Sequence, residues 1–385
     1  MIRRPPRSTQ GVSSAASDVY KRQPCEGEAI QDAYVREAKV VREIVGLCDI
    51  TSLGKIAVQG PDASEFLNRI YTNAYAKLSV GKARYGIMLR DDGMVMDDGT
   101  CWRIAETDYF MTTTTAHAAV VMVWLEELLQ VRWPNLKVHV TSVSDQWAGC
   151  AVAGPKSRAV LETCVNDPTV LSKEACPFMG VIETTLVGDI PSRIARISFS
   201  GELAFEVYVP SDYAEGMMDL LFDASKPLEG CVYGLEALGT LRIEKGHVTG
   251  AELDGRVTIE DAGLGKLASK KKSYIGDVLR KRPVMLDTNR PRLVGIFPKD
   301  QTQTFNAGTI LCKPDNISGF GEGWITGVTY SPALGHWIGL GFISGGFENW
   351  VGQTAIVADP VRGKYVNVEI VSPHMFDADG ERLHA

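Results

Sequence analysis

The sequence predicts an α+β protein made of two related α/β units followed by a C-terminal β-barrel. A strand–Gly-Pro–helix pattern occurs twice, as KIAVQGPDASEFLNRI at 55–70 and CAVAGPKSRAVLETC at 150–164. After about residue 290, short apolar stretches follow one another closely between Gly, Pro, Asp and Asn residues. That texture is typical of an all-β barrel or sandwich. The length of 385 residues is sufficient for two or three domains.

The first half of the chain predicts an orderly alternation of helices and strands. Apolar residues recur at helical spacing between residues 28 and 45, which predicts an amphipathic helix. In the first repeat a helix is expected to start at Pro61, after a strand broken at Gly60. Gly154 occupies the matching place in the second repeat, which favours an internal duplication. Between the repeats the sequence predicts a hairpin of two strands, a third strand and a helix with one apolar face, at 83–89, 94–104, 108–113 and 116–130.

The second half predicts another hairpin, two helices and then the barrel strands. SRIARISFS at 192–200 and AFEVYVP at 204–210 are expected to pair, and helices are expected near 212–224 and 234–245. The change of texture places a domain boundary near residue 288. The predicted division is a leader at 1–23, a main domain at 24–288 and a β-barrel domain at 289–385. The leader is rich in Arg and Ser and resembles either a translated sequencing adaptor or a transit peptide, so it is left out of the fold.

Composition narrows the classes of partner. The formal net charge of −7 argues against a nucleic-acid or anionic-membrane surface, because binding phosphate requires clustered positive charge. The eight cysteines are single and the six histidines are scattered, so the sequence predicts reduced thiols, a cytoplasmic protein and no metal site. The longest apolar stretch, at 118–124, is too short to cross a bilayer.

Two pairs of adjacent aspartates lie only six residues apart in YGIMLRDDGMVMDDG. Asp91-Asp92 suit the tight turn of the hairpin. Asp97 and Asp98 follow an apolar strand, where successive side chains point to opposite faces, so one carboxylate is expected to face inward and to need a partner. That carboxylate either caps a loop or pairs with an arginine, or it carries out chemistry. Glu206 raises the same question within a strand that is otherwise apolar.

Several blocks together resemble the folate-binding aminomethyltransferases, the glycine cleavage T-protein family. They are GLCDITSLGKIAVQGPDASEFLNRIYTN at 46–73, the aspartate hairpin, AVAGPKSRAVL, RISFSGELAFEVYV at 196–209, LRIEKG at 241–246 and YSPALGHWIGLGFI at 330–343. The resemblance implies three domains around a channel that holds tetrahydrofolate. It also implies that Asp98 is the catalytic carboxylate, that Tyr85 lies beside it, and that Glu206 binds the pterin. Thr114 and Phe199 are implied as further cofactor contacts.

Within this family, TTTTA, ALGTLRIEKGHVTG and LGHWIGLG are most similar to the C-terminal half of the sarcosine oxidase α subunit. Phe199 and Leu238 stand where the glycine-cleavage branch has a tyrosine and an arginine, and Ser273 stands where the iron–sulfur-assembly branch has a cysteine. The resemblance implies transfer of a one-carbon unit from an oxidised methylamine to tetrahydrofolate. FAD, FMN and NAD are expected only on missing segments or on flavin-bearing partner subunits. The alternatives are a stand-alone aminomethyltransferase or demethylase, and a non-catalytic scaffold subunit.

Overall fold

A computed structural model of the chain describes residues 23–317 and 320–385. The expected leader, residues 1–23, therefore lies outside the described residues except for its last position. None of the helices in the described ranges is both long enough and apolar enough to cross a membrane.

The first part of the chain alternates helices and strands, as the sequence predicts. Its elements in order are α1 (Ile30–Glu43), β1 (Gly46–Asp49), β2 (Gly54–Gln59), α2 (Ala63–Ile70), β3 (Lys82–Leu89), β4 (Val95–Ala105), β5 (Asp108–Thr113), α3 (Ala118–Glu127) and β6 (His139–Ser142). Helix α2 begins at Ala63 with Asp62 as its N-cap residue, so the expected start at Pro61 was wrong by two residues. Helix α3 buries Val121 but leaves Val120 58% exposed, so the prediction of a single apolar face was also wrong.

The second part continues the same alternation. Its elements are β7 (Trp147–Ala153), α4 (Ser157–Cys164), β8 (Val181–Leu186), β9 (Ile190–Ala195), β10 (Ala204–Pro210), α5 (Ala214–Ser225), β11 (Cys231–Val232) and α6 (Leu235–Lys245). The predicted pairing of β9 with β10 is confirmed. Strand β9 ends at Ala195, however, so residues 196–203 form a connecting loop rather than the end of a strand.

The predicted β-barrel is confirmed as a closed six-stranded barrel in the order β12-β15-β14-β13-β16-β17. The remaining elements are β12 (Pro291–Pro298), β13 (Ile310–Cys312), β14 (Gly323–Ser331), β15 (His336–Ser344), α7 (Gly346–Trp350), β16 (Thr354–Asp359), β17 (Lys364–Val371) and α8 (Glu381–His384). Because the barrel closes on itself, each of its described strands has a neighbouring strand on both sides.

The two sequence repeats lie in two different sheets. Strand β2 belongs to a five-stranded sheet in the order β3-β4-β5-β2-β6, and β7 belongs to a six-stranded sheet in the order β11-β1-β7-β10-β9-β8. The two glycines that end these strands adopt nearly the same conformation, with φ +133° at Gly60 and +128° at Gly154. A Cβ there would lie 2.2 Å from the Lys137 carbonyl oxygen or 2.6 Å from that of Ile44. Both positions therefore require glycine.

Two apolar clusters fix the β3–β4 hairpin between the other parts of the molecule. On one side an aromatic layer joins the two sheets, with the Trp102 and Tyr208 rings 5.3 Å apart and Phe110 5.5 Å from Tyr208. On the other side, buried Ile87 of the hairpin belongs to a cluster that includes Phe342 of the barrel. The hairpin is therefore in contact with both the second sheet and the barrel.

Candidate active site

The β3–β4 hairpin carries Asp98, and its turn is built by the first aspartate pair. The Met94 backbone N–H donates to Asp92 Oδ1 at 3.0 Å, and Gly93 has φ +90°. Asp91 forms an exposed ion pair with Arg132. The prediction that Asp91-Asp92 build the turn is thus confirmed, and the second pair is left for another role.

Asp97 and Asp98 point to opposite faces of β4, as strand alternation predicts. Asp97 is 2% exposed; its Oδ1 lies 3.1 Å from His117 Nδ1, and its Oδ2 accepts the Thr114 N–H at 3.2 Å. Asp98 is half-buried and accepts a hydrogen bond of 2.7 Å from the Tyr85 hydroxyl. The two carboxylates therefore have separate partners on separate sides of the strand.

The environment of Asp98 favours its protonated form more than water does. Burial raises the pKa of Asp98 to about 6; the neighbouring Asp97 charge adds to the rise, and the Tyr85 hydrogen bond opposes it. Burial and the Asp98 charge together raise the pKa of Tyr85 well above its usual value. Tyr85 therefore keeps its proton and acts as a donor, whereas Asp98 can exchange a proton near neutral pH.

Glu206 lies on β10 among buried neighbours. Its side chain is half-buried, and within the described part of the chain its hydrogen-bond partner is the Tyr208 hydroxyl, at a long 3.5 Å from Oε2. Burial raises the pKa of Glu206 to about 7, and the Tyr208 hydrogen bond opposes that rise only in part. A carboxylate has about four acceptor positions, so Glu206 retains the capacity to accept two further donors.

Asp98 and Glu206 lie on strands of two different sheets, on the faces whose aromatic residues meet. Asp98, Thr100 and Trp102 alternate onto one face of β4, and Glu206 and Tyr208 share one face of β10. The Trp102 and Tyr208 rings meet in the aromatic layer that separates the sheets. Thr100 accepts the Trp102 indole N–H at 2.9 Å, which fixes that ring. Asp98 and Glu206 therefore extend from facing sheet surfaces beside the same aromatic layer.

The other two expected site residues lie in loops. Thr114 is half-exposed and holds Asp97 through its backbone N–H, so it supports the strand face opposite to Asp98. Phe199 lies in the loop before β10, is 37% exposed and has its ring 5.7 Å from that of His247. Its carbonyl oxygen lies 2.9 Å from His247 Nδ1. Burial lowers the pKa of His247 to about 4, so this imidazole is neutral.

Sequence reasoning missed three residues of this region: His117, Tyr208 and His247. The position of Tyr208, two residues after Glu206 on the same strand face, could have been inferred from alternation. His117 and His247 contact residues far away in the sequence, Asp97 and Phe199, and local sequence patterns do not predict such contacts.

Three consecutive lysines, Lys270-Lys271-Lys272, differ in their surroundings. Lys272 donates through Nζ to the carbonyl oxygens of Asn68 and Tyr71, at the end of α2. A lysine there completes the hydrogen bonding of the last helical turn. Lys270 and Lys271 are exposed.

The fold defines a two-unit α/β protein with a C-terminal barrel, and a buried or half-buried carboxylate lies on a strand of each of its two sheets. Two family models match the chain: the GCVT N-terminal domain over residues 11–272, and the glycine cleavage T-protein C-terminal barrel domain over residues 292–377. The chain therefore belongs to the glycine cleavage T-protein family. This family carries out folate-dependent one-carbon transfer.

Individual relatives agree with this assignment. The chain is 43% identical over 358 residues to "Sarcosine oxidase subunit alpha" of Rhizobium meliloti, covering 92% of the chain and 36% of that relative. It is 30% identical to an aminomethyltransferase of Listeria monocytogenes, covering 87% of both proteins. The chain thus spans about a third of the length of the α subunits that it matches. A solved structure, the glycine cleavage system aminomethyltransferase T of Bartonella henselae, superposes with a TM-score of 0.77, 24% identity and 90% coverage of both chains.

Proposed function

We propose that the chain is the folate-binding part of a sarcosine-oxidase-type α subunit. In this role it transfers a one-carbon unit from an oxidised methylamine, a methylene iminium, to tetrahydrofolate, and yields 5,10-methylenetetrahydrofolate and the demethylated amine. The observation that carries the proposal is the Tyr85–Asp98 hydrogen bond of 2.7 Å, on a carboxylate whose pKa is raised to about 6. FAD, FMN and NAD would belong to segments or flavin-bearing subunits outside this chain.

Glu206 fits the recognition of a reduced pterin. The pterin ring presents an N–H and an exocyclic amine side by side, and one carboxylate can accept both. Glu206 has that capacity, since its hydrogen bond from Tyr208 is long at 3.5 Å. Each charge-assisted hydrogen bond would contribute about 1.5 to 3 kcal/mol. Phe199 and Thr114 are proposed as further contacts, Phe199 through its partly exposed ring.

Asp98 fits the chemistry of the transfer. Tetrahydrofolate supplies the nucleophile, its N5 amine, which becomes positively charged as it attacks the one-carbon unit. An ionised Asp98 would orient that amine, stabilise the developing charge and accept the proton. Tyr85 would hold the carboxylate in place, because its own proton is firmly bound. Holding both reactants together can lower the barrier by about 7 kcal/mol or more.

The test is Asp98→Asn in the assembled oxidase, with 5,10-methylenetetrahydrofolate and free formaldehyde both measured. We expect amine oxidation to continue while the folate product falls by about 100-fold or more and formaldehyde is released instead. Asp91→Asn, an equal charge change in the turn of the same hairpin, is the matched control and should leave the product ratio unchanged.

The alternatives would give different results. Unchanged folate product in Asp98→Asn would exclude Asp98 from the mechanism. Turnover of a methylated amine by the isolated chain would identify a stand-alone enzyme. Stable assembly of partners without folate binding in calorimetry would identify a scaffold.

A further inference from the structure

A carboxylate–imidazole pair lies directly behind Asp98, on the other face of β4. Asp97 is 2% exposed and its Oδ1 lies 3.1 Å from His117 Nδ1. The imidazole of His117 is 40% exposed, so it connects the buried carboxylate with solvent. Asp97 and Asp98 are joined by one peptide bond, so the pair is held at a constant short distance from Asp98.

A purely structural cap does not require this pair. The Thr114 N–H already satisfies Asp97 Oδ2 at 3.2 Å, and a neutral asparagine would accept that bond equally well. A buried carboxylate costs several kcal/mol in desolvation unless it is paired, yet its partner here is a histidine. An imidazole either holds a second proton or releases it, so its pair with Asp97 can be neutral or negative beside Asp98.

We propose that the Asp97–His117 pair belongs to the active site, where it sets the charge against which Asp98 takes up and releases its proton. The inference rests on the proposed function, in which Asp98 accepts the proton of the attacking amine. That proton leaves Asp98, to the departing amine or to solvent, before the next turnover. With an imidazolium at His117 the pair is neutral and Asp98 ionises readily. With a neutral imidazole at His117, the negative charge of Asp97 disfavours ionisation of Asp98.

The groups that act on Asp98 come from several elements. Tyr85 of β3 donates to it, Asp97 precedes it on β4, and His117 approaches from the turn before α3. The phenol of Tyr71, at the end of α2, is buried and interacts electrostatically with both aspartates. Because Tyr85 and Tyr71 both hold their protons firmly, the charges that act on Asp98 within the described residues come from Asp97 and His117. In this arrangement Asp97 and His117 are positioning residues.

The test compares Asp97→Asn, His117→Gln and the double variant. The titration of Asp98 is followed by carboxyl carbon NMR of the full chain without folate, with the Asp98 signal assigned from Asp98→Asn. We expect Asp97→Asn to lower the pKa of Asp98 by about 0.5 to 1 unit and His117→Gln to raise it by a similar amount. The double variant should return close to the parent value. Asp91→Asn and His139→Gln are the charge and histidine controls and should not move it.

The second readout is the pH profile of folate-dependent turnover in the assembled oxidase. The pKa of its acid limb should shift in the same direction as the pKa of Asp98 measured by NMR. Absence of NMR shifts, or shifts of both single variants in one direction, would overturn the inference. Opposite NMR shifts with an unmoved acid limb would leave the coupling standing and remove Asp98 from the proposed function. If Asp97→Asn fails to fold, His117→Gln decides alone, since its side chain is partly exposed and an unmoved Asp98 titration would refute the coupling.

Discussion

At the scale of single residues, Asp98 and Glu206 share an unusual property. Burial raises the pKa of both carboxyls, to about 6 and about 7, although no arginine or lysine forms an ion pair with either of them in the described ranges. A protein that needed these positions only for stability would gain from apolar or amide side chains there. Their presence is understandable if the carboxylates act on a ligand that supplies the missing donors.

Glu206→Gln is expected to stabilise the chain at alkaline pH. Since the folded-state pKa of Glu206 is raised from 4.5 to about 7, the stability linked to its proton is complete below about pH 4.5 and is lost as pH rises through 7. Glutamine suffers no such loss. The free energy of unfolding at pH 8 should rise by on the order of 1 to 3 kcal/mol, with the difference vanishing toward pH 4.5. Urea unfolding at both pH values measures it, and an equal difference at both would contradict the pKa shift.

The same substitution is expected to weaken folate binding. Losing one charge-assisted acceptor should raise the Kd for folinic acid, a stable reduced folate, by about 10- to 100-fold. Isothermal titration calorimetry at pH 8 measures this change. Glu369→Gln, an exposed position on barrel strand β17, is the matched control and should leave both stability and affinity unchanged. Equal affinity of the Glu206 and Glu369 variants would remove Glu206 from the pterin site.

At the scale of elements, each repeat depends on a glycine between its strand and its helix. The glycine has a positive φ in both repeats, and a carbonyl oxygen occupies the space that a Cβ would need. This turn brings the helix back onto its own sheet. Formation of the whole α/β unit therefore depends on it. The hairpin turn at Gly93 is similar, since a Cβ there would lie 2.6 Å from the Arg280 backbone nitrogen.

Gly154→Ala should therefore destabilise the chain by about 1 to 3 kcal/mol, from the strained φ and the clash with the Ile44 carbonyl oxygen. Gly239→Ala is the opposite control. Gly239 lies within α6 and a Cβ there meets nothing within 4 Å, so that variant should gain about 0.5 to 1 kcal/mol. In thermal unfolding, the midpoint temperature should be lower than that of the parent for Gly154→Ala and higher for Gly239→Ala. A Gly154→Ala protein as stable as the parent would refute the argument.

At the scale of the whole molecule, a buried ionic network joins the first helix to the last segment. Arg42 of α1 donates to Glu202 at 2.8 Å and to Glu244 of α6 at 2.7 Å. Glu202 also pairs with Arg382 near the C-terminus, and Glu244 accepts from Ser331 of the barrel at 2.5 Å. The network thus ties the second α/β unit to the barrel. We propose that a domain boundary lies near residue 288, between the main domain at 24–288 and the β-barrel domain at 289–385.

Arg42→Met is expected to lower the free energy of unfolding by about 3 to 5 kcal/mol, because it leaves buried Glu244 without its cation and leaves Glu202 with Arg382 alone. Arg362→Met, which removes an arginine 63% exposed and paired with Asp359, should cost less than about 1 kcal/mol. Chemical denaturation distinguishes the two. Equal losses would mean that the buried network contributes no more than a surface ion pair.

The sequence by itself determined most of the architecture: the two strand–Gly-Pro–helix repeats, the aspartate turn and the C-terminal series of short strands. Periodicity and turn chemistry are local properties, and here the local preferences agree with the final fold. It also determined that Asp97 and Asp98 face opposite ways, which follows from the pleat of a strand.

Only the tertiary structure decided which partners each carboxylate has. The pairing of Asp97 with His117 and of Arg42 with Glu244 depends on which elements pack together, since these partners are far apart in sequence. The raised pKa of Asp98 and of Glu206 has the same origin. Desolvation is imposed by the surrounding layers of the molecule. The sequence of one strand therefore does not show how much water its neighbours will exclude.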